Sequence, residues 1–265
     1  MNSQLNIHLI KRLFKELLAF LKDSEPEITD VWLSLDEIET IQKYDKPHLR
    51  TILSDLESIS IQKGNYINYV VINKILFIIE CFQFIEVDIN QLSVLLDFKG
   101  FEALIEEILK RNNFKTIKNF RFSDKSNFKS KTSQKRYEID IIGIYSKYVV
   151  LIDAKQWRRK DSFSSINRAA NLQYRRAIAL KKNPQIFSEL IQKLLSNKTN
   201  LKRRLPFIII PMMVTLEDNS IRINNNQIPL VSIFELNSFL QELQNNLFYF
   251  KTIQVNRIYI QKSLS

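Results

Sequence analysis

Glycine is nearly missing from this chain: three residues in 265. So small a supply argues against long flexible linkers and against a glycine-rich phosphate loop. One cysteine, Cys81, leaves nothing for an intrachain disulfide or a cysteine-based zinc site, and it fits a reducing compartment. The two histidines, His8 and His48, stand far apart, each without a second ligand nearby, whereas histidine metal ligands come in groups. Long apolar runs are lacking as well. The richest short one, "LPFIIIPMMV", has the length of a strand and is interrupted by Pro211. The N-terminus opens on polar residues and continues as an amphipathic pattern without a secretory apolar core. The expectation is a soluble, cytoplasmic protein without a membrane partner.

Charge is present in abundance and is unevenly spread. The chain carries a formal net charge of +11. Residues 1–97 hold 9 Lys and Arg against 15 Asp and Glu, a net of −6, and the remainder holds 30 against 13, a net of +17. Such asymmetry predicts that one segment faces a polyanion and the other does not.

The pattern of apolar residues divides the chain at the same place. Residues 5–22 recur apolar at helical spacing, a second helical stretch is expected from about Pro47 to Ser60, and "YVVINKILFIIECFQFI" reads as the buried centre of a bundle. The β-branched first half of that last segment also admits a strand. Asp88 followed by Gln91 has the form of a capping box for "INQLSVLLD". Residues 1–97 are thus expected to form an acidic helical domain, serving structure, partner binding or dimerisation. A helix-turn-helix reader is the less favoured alternative, because acidic balance opposes a hold on phosphates.

From residue 98 onward the pattern changes. "FEALIEEILKRNNF" places Phe101, Leu104, Ile105 and Ile108 on one helical face, "KTIKNFRF" reads as a strand, and "SDKSNFKSKTSQKR" is a polar, basic loop. A hairpin follows, then a helical region over about 163–196, the strand "LPFIIIPMMVTL", a short strand leading into a helix, and a last strand, "KTIQVNRIYIQ". Alternating strands and helices predict an α/β domain with a central mixed sheet.

The hairpin, "YEIDIIGIYSKYVVLIDAKQW", carries the chemistry. Side chains alternate along a strand, so Glu138 and Asp140 share one face, as do Asp153 and Lys155, while Ile139, Ile141, Ile152 and Ala154 turn toward a core. A tight turn centred on Ser146–Lys147 sets Asp140 across from Asp153 and Glu138 across from Lys155. Opposed carboxylates are mutually destabilising. Either one acid stays protonated or a divalent cation sits between them, and hard oxygen ligands favour Mg²⁺, or Mn²⁺, over zinc. Taken alone, Asp-x-Lys is common on the wet face of short strands. Here the triplet ends a long apolar strand, a second acid lies across the turn, and basic sequence surrounds both.

"EID", then "VVLIDAK" thirteen residues later, preceded by "GFEALIEEIL", resembles the PD-(D/E)xK nucleases, most nearly the archaeal Holliday-junction resolvase and Mrr-like branch. The resemblance spans roughly residues 98–235. It implies a restriction-endonuclease-like fold, a central mixed sheet flanked by helices, and Mg²⁺-dependent hydrolysis of DNA in repair, recombination or restriction. Carried over by position, Asp140 and Asp153 are metal-ligating acids, Lys155 stands near the attacking water, and Glu102 is the additional acid of the preceding helix. Aspartate replaces the glutamate that many relatives carry at position 153, and no proline precedes Asp140. Glu138 is expected to orient Lys155. Gln173 occupies a helix where related enzymes sometimes place a polar site residue, but a solvated helix face is the favoured explanation for it.

Residues 110–136 contain ten Lys or Arg against Asp124 alone, interleaved with Phe114, Phe120, Phe122 and Phe128, for which core packing is the default. Lys129, Lys131, Lys135 and Arg136 from this stretch, with Trp157, Arg158, Arg159, Lys160, Gln173 and Arg176, form the candidate DNA surface. Two-strand cutting would call for a homodimer. The competing readings are a non-catalytic DNA-binding or assembly protein that retains the fold, and an RNA-processing nuclease.

Overall fold

The computed structural model describes residues 2–43, 53, 55–124, 136–156, 163–195, 201, 203–216 and 222–259. The chain divides into two compact units, Met1–Leu104 and Ile105–Ser265.

The first unit is built from helices and a sheet. Helix α1 (Asn2–Lys22) buries Leu13, Phe14, Leu17 and Leu21 completely. Strands β1 (Asp30–Ser34), β2 (Ile59–Lys63) and β3 (Asn68–Asn73) form an antiparallel sheet in the order β1-β3-β2, and α2 (Glu39–Lys43) lies between the first two in sequence. The expected helical bundle over residues 1–97 is therefore corrected to a mixed unit. Ser60, placed in a helix by the sequence, lies in β2. The segment "YVVINKILFIIECFQFI" splits at Asn73. Before it, Val70 and Ile72 alternate inward as a strand. At Asn73 the side chain accepts from the Leu76 N–H at 3.1 Å and starts α3 (Lys74–Phe84), whose Phe77 stacks on Phe14 at 4.8 Å. Asp88 and Gln91 exchange the two hydrogen bonds of a capping box at the head of α4 (Ile89–Leu95). Helix α5 (Phe98–Arg111) runs through the boundary between the units.

The second unit is a mixed sheet flanked by helices. Strands β4 (Lys115–Ser123), β5 (Arg136–Tyr145), β6 (Tyr148–Lys155), β7 (Phe207–Thr215) and β8 (Leu230–Ser232) stand in that order, and β9 (Ile253–Val255) pairs with the first part of β7. The pairs β6–β7 and β7–β8 are parallel, and β4–β5, β5–β6 and β7–β9 antiparallel. The crossover from β6 to β7 is helical. It is two helices, α6 (Phe163–Lys182) and α7 (Pro184–Leu195), where one was expected. Pro184 cannot donate to the preceding turn and disfavours a helical Asn183, whose side chain instead donates to Ala179 O at 2.8 Å. The short helix α8 (Leu236–Glu242) follows β8. The core of this unit joins Ile142, Ile144, Val149 and Leu151 of the hairpin to Ala177 and Leu180 of α6 and Phe187 and Ile191 of α7.

Candidate active site

Strands β5 and β6 turn on Ser146 and Lys147, with Ser146 at a φ of 55°, in the left-handed region that tight hairpins need at the turn. Five residue pairs close behind it: Tyr145 with Tyr148, Ile144 with Val149, Gly143 with Val150, Ile142 with Leu151 and Ile141 with Ile152. That register is the one the sequence suggested, and its continuation sets Asp140 opposite Asp153.

The ladder stops one step short of that pair. On its other edge β5 pairs through Ile141–Lys118 and Ile139–Phe120, leaving out Asp140 and Asn119, and Asn119 adopts a φ of 53°. The inward alternation shifts phase here in both strands. Ile142 and Ile144 beyond Asp140 and Ile139 and Tyr137 before it enter the same apolar cluster, as do Ile117 beside Phe120 and Phe122. Asp140 thus sits at a local break in an otherwise regular sheet, a device by which strands re-aim a side chain. Its carboxylate accepts the Ala154 N–H at 2.8 Å, taking a donor that the strand ladder leaves unused.

Asp153 is in a different environment. It is 2% exposed, and each of its oxygens meets a cation: Oδ1 accepts from Arg176 Nη1 at 2.6 Å, and Oδ2 lies 3.1 Å from Lys155 Nζ. The two acids therefore differ in how their charge is met. Burial, followed by the neighbouring Asp153 charge, pushes the Asp140 carboxyl above its ordinary range; the Ala154 N–H, Lys155 and Arg176 pull the other way.

The third layer comes from α6. Ala170, Gln173, Ala177 and Leu180 are buried at spacings of three and four, the stripe of a helix facing a core. Gln173 is fully buried, so the solvated-face explanation for it is withdrawn. Its Oε1 accepts from Arg176 Nη1 at 3.0 Å. Gln173 Nε2 and Arg176 Nε are buried and have no hydrogen-bond partner among the described residues. Both residues belong to the interior beside Asp153, not to an open basic surface. The sequence signal was a glutamine inside a small-residue stripe, with an arginine one turn further on.

Glu138 does not orient Lys155: it pairs with Arg121 on β4 at 2.9 Å, because those two stand in cross-strand register while the β5–β6 ladder ends before Glu138 could reach Lys155. Glu102 lies on α5 in the first unit and is 5% exposed. Phe114 and Phe122 are buried and Phe120 packs against the core, as expected of core residues. Arg136 opens β5 and is exposed. Lys129, Lys131, Lys135, Trp157, Arg158, Arg159 and Lys160 lie outside the described residues, as does Phe128.

Among the described residues no three His, Cys, Asp or Glu side chains gather into one group. Mg²⁺ does not demand three: it commonly binds through one or two carboxylates and completes its shell with water and substrate phosphate. Two neighbouring carboxylates, Asp153 buried and Asp140 half-buried, with the Asp140 carboxyl raised first by burial and then by the Asp153 charge, fit such an ion.

No described helix is long and apolar enough to cross a membrane. No protein-family model and no curated protein matches the chain. Among solved structures it is similar to protein VC1899 from Vibrio cholerae, at 14% identity and a TM-score of 0.33, over 93% of this chain and 56% of that one. This chain thus spans little more than half the length of that protein.

Proposed function

We propose that the chain is a metal-dependent endonuclease of restriction-endonuclease-like fold, acting on DNA in repair, recombination or restriction. The observation that carries this reading is the meeting of Asp140, Asp153 and Lys155 at the open end of the β5–β6 hairpin, where the sheet's regular pairing gives way. A Mg²⁺ held by Asp140 and Asp153 would supply polarisation of the phosphoryl oxygen and a more acidic water.

The chain's own residues do the rest. Asp140 is fixed by the Ala154 N–H, so its free oxygen is aimed without side-chain searching. Lys155, partly open to solvent, stands at the mouth of the site, where its ammonium orients the attacking water or meets charge developing on the phosphate. Arg176, which also donates to Gln173 Oε1, donates to Asp153. Substrate approach is served by α6, whose outer side carries Arg168, Arg175 and Lys182 at seven-residue intervals, all exposed. Such a row neutralises successive phosphates and makes binding fall steeply with salt.

The test is incubation of the full chain with supercoiled, branched and flapped DNA and with RNA, in Mg²⁺ or EDTA. Cleavage of DNA in Mg²⁺ that is lost in EDTA and in Lys155→Ala supports the reading. Cleavage of RNA alone would move the substrate class. Binding without cleavage under every condition would leave a DNA-binding protein that merely retains the arrangement.

A further inference from the structure

Among the described residues Arg176 donates through a single nitrogen. Nη1 donates to Asp153 Oδ1 at 2.6 Å and to Gln173 Oε1 at 3.0 Å, while Nε, also buried, has no partner among those residues. Gln173 repeats the pattern: its oxygen is used, and its fully buried Nε2 donates to nothing among the described residues. Two buried donors without acceptors side by side are costly, and what each lacks is an oxygen. A guanidinium offers a planar fork of donors suited to two oxygens of one anion, and here that fork is only partly used. Meanwhile Asp153, a ligand in the nuclease reading, already faces two monocations, Arg176 and Lys155. A dication approaching Asp153 meets their repulsion.

Resting on that reading, we infer that Arg176 is a positioning residue that couples cation binding to phosphate binding. It competes with the divalent cation for Asp153, and once displaced it donates to an oxygen of the nucleic-acid phosphate. Coupling of this kind is reciprocal: phosphate that draws Arg176 away raises cation affinity, and cation that displaces Arg176 raises nucleic-acid affinity by the same factor. The device keeps the site weakly loaded until substrate arrives.

The experiment is titration of Mn²⁺ alone into the full chain, followed by calorimetry, with and without a phosphorothioate-substituted DNA duplex that resists cleavage. Wild type should bind Mn²⁺ about tenfold more tightly with duplex than without, since removing one charge contact at close range is an effect of at least that size. Arg176→Met should bind Mn²⁺ alone about as tightly as wild type does with duplex, and the duplex should then add little. Arg176→Lys, which keeps the charge and loses the fork, should restore weak binding of Mn²⁺ alone. Gln173→Leu, which frees Arg176 from its helix-side anchor, gives a second route should Arg176→Met fail to fold, and should shift Mn²⁺ affinity in the same direction by less. Unchanged or weaker Mn²⁺ affinity in Arg176→Met, with Asp140→Asn still abolishing it, overturns the coupling and leaves the nuclease reading standing. Mn²⁺ binding that ignores Asp140→Asn overturns both.

Discussion

The two ends of the β5–β6 hairpin are made of the same strands and do opposite things. At the turn end, five successive pairs run without interruption and every residue from Ile141 to Ile144 and from Val149 to Ile152 is buried and without a charge. At the open end, β5–β6 pairing stops, alternation slips in both β4 and β5, and two carboxylates lie close enough for the Asp153 charge to act on Asp140. The contrast teaches that neighbouring acids are tolerated where the ladder has stopped and where the Ala154 N–H, Arg176 and Lys155 meet their oxygens. The apolar end fixes the register; the register fixes which acids meet. Changes at one end should therefore be read in stability, and changes at the other in chemistry.

The largest expected effects lie at the open end. Lys155→Ala and Asp153→Asn should each lower the rate of Mg²⁺-dependent DNA cleavage by roughly 10²–10⁴-fold, the range for a group acting in proton transfer or charge stabilisation. Gel-based cleavage at saturating DNA measures this. Retention of wild-type cutting by Lys155→Ala would remove the mechanism.

Next comes the turn end. Leu151 is fully buried opposite Ile142, so Leu151→Ala should cost about 2–5 kcal/mol of folding stability by lost transfer energy and the cavity left behind. Urea denaturation is the measurement. A loss of cleavage larger than the loss of folded protein would show that the two ends are not separable.

Asp140 gives an effect that joins the two. Burial and the Asp153 charge raise its carboxyl above the ordinary range, so the folded chain holds a proton there more readily than the unfolded chain does. Its contribution to stability is complete below the unfolded carboxyl's pKa and is lost as pH rises through the folded one. Asp140→Asn removes that loss while keeping an oxygen for the Ala154 N–H. In metal-free buffer the variant should melt above wild type at neutral pH, with the gap closing on acidification, and it should not cut. A wild type more stable than Asp140→Asn at neutral pH would mean that Lys155 and Arg176 outweigh burial.

Much of this site was legible in the sequence because a hairpin is local. Turn centre, register and the Asp140–Asp153 opposition follow from an even-length loop between apolar strands. Local reasoning failed where distant segments decide. The strands "DVWLS" and "ISIQK" of the first unit are five residues each and become a sheet only by pairing with β3 on either side. Likewise Gln173 and Arg176 read as a polar helix face until the crossover lays that face on Asp153. The slip in alternation at Asp140 was equally hidden, since its cause lies partly in Asn119 on a neighbouring strand.

The smallest expected effect is also the most discriminating for the geometry. Strict alternation would set Glu138 beside Lys155 and make it a partner of that lysine; the structure gives it to Arg121 on the exposed side of the sheet, with Glu138 43% and Arg121 74% open to solvent. An ion pair so exposed is weak and screened by salt. Glu138→Gln should therefore leave cleavage within about twofold of wild type and its pH profile unmoved, since the charge removed is screened from Lys155 by water. If Glu138→Gln instead shifted the profile in the manner of a lost lysine partner, the hairpin would have to stay in register past Ile141–Ile152 in solution. The break at Asp140 would then be a feature of this arrangement alone and not the device that aims the first carboxylate.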